Sequence, residues 1–163
     1  MAKIIISILS VLLIFFPFSG TLQAAYQNLT FPGDDVIISN IIDAVKSEDI
    51  DAFEEMFSDK KKKNHESLSA ELQNMFNQIE GEIISVDCVL GDGSESSKSG
   101  IGYVEKGRSW KFEIKTTTNK YFLFAGWKII DTLEPQNVGL GSLKLMDSEI
   151  ITSEGHKQLA LIN

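Results

Sequence analysis

One cysteine and two histidines stand among the 163 residues, and both scarcities are restrictive. A lone thiol, Cys88, makes no internal disulfide, so packing has to hold the fold. It sits in an alternating apolar run, where cysteine acts as a small core hydrophobe. His65 follows four lysines, and His156 stands in a stretch near the C-terminus without a clear pattern. Neither falls on an inward strand face, so no His–Asp dyad is expected within reach of a substrate. No paired His/Cys spacing offers a metal site, and no cofactor is expected. Basic residues are also in the minority: 15 Lys and Arg against 23 Asp and Glu, a net charge of −8. Phosphate backbones and anionic membrane surfaces repel such a chain, which disfavours nucleic acid as a partner.

The one long apolar run is at the start. Residues 4–16 hold only Ser7 and Ser10 as polar members; Lys3 precedes them, and Pro17, Ser19-Gly20 and Ala24-Ala25 follow. A positive start, an apolar stretch and small residues near its end describe a secretory signal peptide over 1–24. The alternative, an uncleaved anchor, needs about 20 predominantly apolar residues, and this run is shorter. Cleavage is expected after Ala24, or after Ala25, leaving no stable membrane anchor. No cysteine follows the run, so a lipid-modified N-terminal cysteine is not expected. Removing 1–24 takes away Lys3 and no acid, leaving 14 basic and 23 acidic residues, a net −9. The remainder is long enough for one domain with its own core.

Residues 25–34 read as a lead-in, with Asp34 and Asp35 suited to a helix N-terminus. Ile37, Ile41, Ala44 and Val45 make the stripe of a first helix; Ile50, Phe53, Met56 and Phe57 that of a second; Leu68, Leu72, Met75, Phe76 and Ile79 that of a third, stopped by Gly81. The period then falls to two. Ile84, Val86, Cys88 and Leu90 alternate along a first strand, and 91–100 form a polar loop. Trp110, Phe112, Ile114 and Thr116 share one face of a second strand, with Lys111, Glu113 and Lys115 on the other. Residues 121–130, apolar on both faces, predict a third strand that is central and covered. Residues 138–145 predict a fourth, after a connection containing Pro135. The expectation is an α+β domain over 35–146, three helices on a curved antiparallel sheet of about four strands, with 147–163 a tail or a weak strand. Leu72, Phe76 and Ile79 are expected to pack on the face carrying Trp110, Phe112 and Ile114.

Several stretches are similar to a family of small bacterial extracytoplasmic proteins labelled domain of unknown function 5104: SEDIDAFEEMFS (47–58), GEIISVD (81–87), GSESSKSG (93–100) and KFEIKTTTNKYFLFAGWKIIDTLEPQNVGLGSLKL (111–145). The last is the most specific, with its Asp-x-x-x-Pro-x-Asn-x-Gly-Leu connection. The resemblance implies a nuclear-transport-factor-two-like, or cystatin-like, cone. It implies no activity. Members of that family often carry a cysteine at the cleavage site; this chain has Ala24-Ala25-Tyr26, which favours a released protein.

Other constellations read as bland. Tyr103, Tyr121 and Asp87 sit on strands, where tyrosines pack with satisfied hydroxyls. Asp92, Ser94 and Glu95 lack the carboxylate register of a calcium loop. Gly100-Ile101-Gly102 precedes no helix, so it is no dinucleotide fingerprint. Lysines 60–63 read as a solvated linker. Trp110, Trp127, Phe112, Phe122 and Phe124 make the sheet's middle aromatic, either as core or as the wall of an apolar pocket. In the second case Tyr103, Trp110, Tyr121 and Trp127 are the expected lining, in a cavity preferring neutral or cationic molecules. The functional expectation is a secreted, non-enzymatic domain binding a small ligand or a protein partner. The alternative is an interaction module without a pocket that uses the sheet's outer face. A hydrolase or isomerase ranks third.

Overall fold

The 3.6-residue stripes and the two-residue alternation become, in a computed structural model, four α-helices and a six-stranded antiparallel sheet among the described residues. The structure describes residues 33–92, 98–100, 103–152 and 155–163. The expected signal peptide, most of the lead-in, half of the 91–100 loop and Ile101-Gly102 lie outside them.

Helix α1 (Asp34–Ser47) starts on its two acids and ends where Glu48 turns left-handed at φ 50°. Asp49 caps α2 (Ile50–Met56), its Oδ1 accepting the Ala52 N–H at 2.9 Å. Ser58 in turn caps α3 (Asp59–Asn64), accepting from Lys61 N at 3.3 Å. The lysine run is therefore a short helix rather than a linker, and the described residues hold four helices where the stripes predict three. α3 buries no residue, so no apolar stripe announces it. α4 (Leu68–Phe76) buries Leu68, Leu72, Met75 and Phe76.

The strands are β1 (Ile83–Asp92), β2 (Lys98–Gly100), β3 (Tyr103–Thr116), β4 (Lys120–Asp131), β5 (Gly139–Thr152) and β6 (Gly155–Ile162), with a 3₁₀ turn over Pro135–Asn137. They pair in the order β1-β3-β4-β5-β6, with β2 on the first residues of β3. Six strands replace the expected four or so, and the stretch read as a tail or weak strand carries the second half of β5 and all of β6.

One core lies between the helices and one sheet face. Cys88, Phe112, Leu123, Leu145 and Ala160 form an inward row across five strands. Phe53, Phe76, Leu72, Ile41 and Val45 close on that face, as do Trp110 and Ile114, with Ile79 at the margin. Phe53 and Phe76 meet at 5.7 Å between ring centroids.

Two features correct the expected pattern. β1 carries register shifts between Ile83 and Ser85 and between Cys88 and Leu90. Each extra residue flips the alternation, so Val86 is buried while Ile84 and Leu90 face out. And β4, although central, is covered on one face only among the described residues. Phe122 and Phe124 lie on the uncovered side, half-buried.

Gly139, at φ 128°, shows how the helices are fastened. A Cβ there would sit 2.9 Å from Ser58 N and 3.1 Å from Met56 O. Its absence lets the α2–α3 joint dock on β5, where Ser58 N donates to Leu140 O at 3.1 Å.

Candidate interaction face

The register of β3 decides which side chains meet on the open face. It lines up one outward residue from each of five strands: Leu90, Lys111, Phe124, Lys144 and Leu161. A second row holds Asp87, Glu113, Phe122, Met146 and Gln158. Positions on the solvated face of an antiparallel sheet are ordinarily polar. Here Leu90 is 48% and Leu161 44% exposed, and Phe122, Phe124 and Met146 are half-buried.

Lys111 Nζ stands 3.4 Å from the Phe122 ring centroid and 5.7 Å from that of Phe124. The ring quadrupole attracts the ammonium by about 0.5–1 kcal/mol at an exposed site. His156 meets Phe122 edge-on, with centroids 5.4 Å apart. Among the described residues a cation and an imidazole thus screen the phenyl rings. Lys115 and Lys120 lie 3.2 and 3.5 Å from Glu113. The Lys115 hydrogen bond, helped by Lys120, holds the Glu113 carboxyl below its usual range although burial opposes this. Lys144 has no ion pair among the described residues. Four lysines therefore share the face with Glu113 and Asp87, an excess of positive charge on a chain of net −8.

The four residues expected to line a pocket fall in different places. Trp110 and Tyr121, 3% and 2% exposed, belong to the packed core. Trp127 packs against that core and meets Trp110 edge to face, centroids 6.5 Å apart. Tyr121 sits towards the other end of β4, opposite Ile114, and its hydroxyl accepts the Glu80 N–H at 3.0 Å. Tyr103 begins β3 and donates to Glu105, whose carboxylate pushes the phenol up to about 12. The structure brings the two tryptophans together and keeps both tyrosines apart from them. Cys88 is partly buried against the core, and burial pushes its thiol up.

The connection that is most specific in the sequence forms a polar clasp. Asp131 Oδ1 accepts the Glu134 N–H at 2.9 Å, and its Oδ2 accepts from Asn137 Nδ2 at 2.8 Å. Asn137 also donates to Glu134, which pairs with Lys60 of α3 at 2.5 Å. Lys128 reaches Glu105 at 2.6 Å and Asp131 at 3.5 Å. Asp131 and Asn137 thus shape the 3₁₀ turn that ties β4 to α3.

The apolar run of β4 by itself puts Phe122 and Phe124 in a strand covered on both faces, and nothing local gives Lys111 a role. The available signal was the polar alternate face of β3. Lys111 and Glu113 are the cross-strand neighbours of Phe124 and Phe122, so a polar β3 face already marks the adjoining β4 face as open.

The family model described as a domain of unknown function (DUF5104) matches residues 40–149. No curated protein matches the chain.

Proposed function

We propose that this chain, which belongs to the DUF5104 family, is a secreted, non-enzymatic partner-binding domain whose open sheet face contacts an acidic polypeptide. The observation that carries this reading is the in-register row of Leu90, Lys111, Phe124, Lys144 and Leu161 across five strands. Apolar side chains in a contiguous row on a solvated face suit a contact surface. The lysines choose its chemistry. Two copies meeting face to face set Lys111 and Lys144 against like charge, which disfavours self-association. The phenyl rings lie beneath Lys111 rather than standing clear of it, which suits side-chain packing better than insertion into lipid. A segment alternating carboxylates with apolar side chains satisfies both kinds of group. We read the shape as the half-open cone that the family resemblance implies, supported by helices on one face only and by register shifts that bend strands. Secretion rests on the sequence of residues 1–25.

The test places a photo-crosslinking amino acid at position 124, with position 35 of α1 as the control, in the source organism. Protein recovered from the medium is expected to begin at Ala25 or Tyr26 by mass spectrometry; an intact Met1 in the membrane fraction overturns secretion. Position 124 is expected to capture an acidic polypeptide that Lys111→Glu with Lys144→Glu releases. Equal capture at position 35, or products that are only lipid or a second copy of the chain, overturns the assignment of the face.

A further inference from the structure

A second surface feature lies away from the open row. A cleft of about 410 Å³ is bounded by α3 and His65, by Lys128 of β4, by Asn137 of the clasp and by the end of β6. That volume is in the range that holds a small molecule.

The charged side chains that line it are of one sign, and Asn163, the last residue, also belongs to the lining. Lys60, Lys61, His65 and Lys128 line it, and no aspartate or glutamate does. The carboxylates that neutralise two of these cations stand outside the lining: Glu134 on Lys60 at 2.5 Å, and Glu105 on Lys128 at 2.6 Å. His65 Nε2 lies 2.9 Å from Glu71 Oε1 without the alignment of a hydrogen bond. Lys61 is the exception. Among the described residues no carboxylate comes within ion-pair distance of its ammonium, and Glu71 acts on it only through space. Burial lowers its pKa, as for a cation that has lost water without gaining a partner. Beside it, no hydrogen bond from the Asn64 side-chain amide is seen among the described residues. One charge vacancy and one free amide donor thus face the same space.

We infer that the cleft binds a single small oxyanion, a carboxylate or phosphate group, with the Lys61 ammonium as its counter-charge and the Asn64 amide as a second donor. One anionic group fills the vacancy. A multiply charged ligand would meet Glu134, Glu105 and Asp131 just behind the lysines. The inference does not depend on the open sheet face.

The experiment is a ¹H–¹⁵N titration of the protein with inorganic phosphate, and separately with acetate, at constant ionic strength. Saturable shifts are expected at residues 58–65, 128 and 137. A response to phosphate alone assigns a phosphate group, and one to acetate alone a carboxylate. Lys61→Gln is expected to weaken binding by about tenfold or more, a loss of about 1.4 kcal/mol. Lys62→Gln is expected to leave it unchanged, because Lys62 pairs with Glu55 and Asp59 outside the lining. Absence of a saturable shift with both anions, shifts spread equally over all lysines, or unchanged binding in a folded Lys61→Gln protein overturns the site.

Discussion

Arg108 is the one arginine in the chain, and it is buried. Its Nη1 donates to Asp34 Oδ2 at 3.0 Å, with both side chains less than a tenth exposed. The pair joins the first residue of α1 to β3, 74 positions away. At the surface such a pair contributes little. Burial changes the consequence of breaking it, because each charge has given up water. Removing one partner leaves the other buried without this charged bond, at a cost of about 3–5 kcal/mol. Arg108→Met and Asp34→Ala are each expected to lower stability by about that amount in urea titrations. Asp34→Leu combined with Arg108→Met is expected to lose less than the two single changes together, since neither member of the pair then stays buried without the other. Strict additivity would show that the two side chains do not act as a unit. Asp34 was legible in the sequence as an acid at a helix start. Its partner was not, since nothing local to Arg108 distinguishes a buried cation from a solvated one.

At the scale of elements, the clasp between β4 and β5 should carry part of the acid sensitivity. Asn137, then the Glu134 N–H and Lys128, hold the Asp131 carboxyl below its usual range although burial opposes them. Lys60 does the same for Glu134, and Lys128 for Glu105. A carboxyl depressed in the folded state stabilises it above the unfolded value, about 4. That contribution disappears as pH falls through the depressed folded value. Stability is therefore expected to fall between about pH 5 and pH 2. Asp131→Asn should be less stable than the parent at pH 7 and lose less on going to pH 3. Urea midpoints at the two pH values check this; equal losses would mean that Asp131 does not contribute. The elements themselves were unevenly legible. The stripes of α1, α2 and α4 follow from 3.6-residue spacing, because each buries one face. α3 buries nothing, and the β1 register shifts leave no local signal. The open face was legible only in parts: its members alternate along their own strands, but the row exists only once five strands are in register.

For the whole molecule, the decisive region is the one whose pattern was weakest. β5 and β6 pair through a wide irregularity between Met146 and Ile151. There, Asp147 Oδ1 accepts the N–H groups of Glu149 and Ile150 at 2.8 and 3.1 Å. These bonds, with Asn119, outweigh the burial that pushes its carboxyl up. A further shift between Leu145 and Met146 places Leu159 outside the pairing. The two irregularities erase alternation from the sequence, yet Ile162 at the end of β6 is 1% exposed and belongs to the core. Ending the chain at Met146, the boundary that hydrophobic alternation alone suggests, would remove β6, strip the outer edge of β5 and uncover Leu143 and Leu145 beside it. The lost apolar burial, at about 25 cal/mol per Å², and the exposed edge both act against a domain of this size, whose net stability is about 5–15 kcal/mol. The truncated chain is expected to show no cooperative thermal transition in near-ultraviolet circular dichroism. Ile162→Ala in the full chain, which leaves β6 paired, is expected to keep the transition and lose about 2–5 kcal/mol. A truncated chain that melts cooperatively within a few degrees of the parent would make β6 an appendage. The single substitution separates the two contributions: a loss near zero assigns what the truncation removes to strand pairing, and a loss in the stated range assigns a share to the buried side chain.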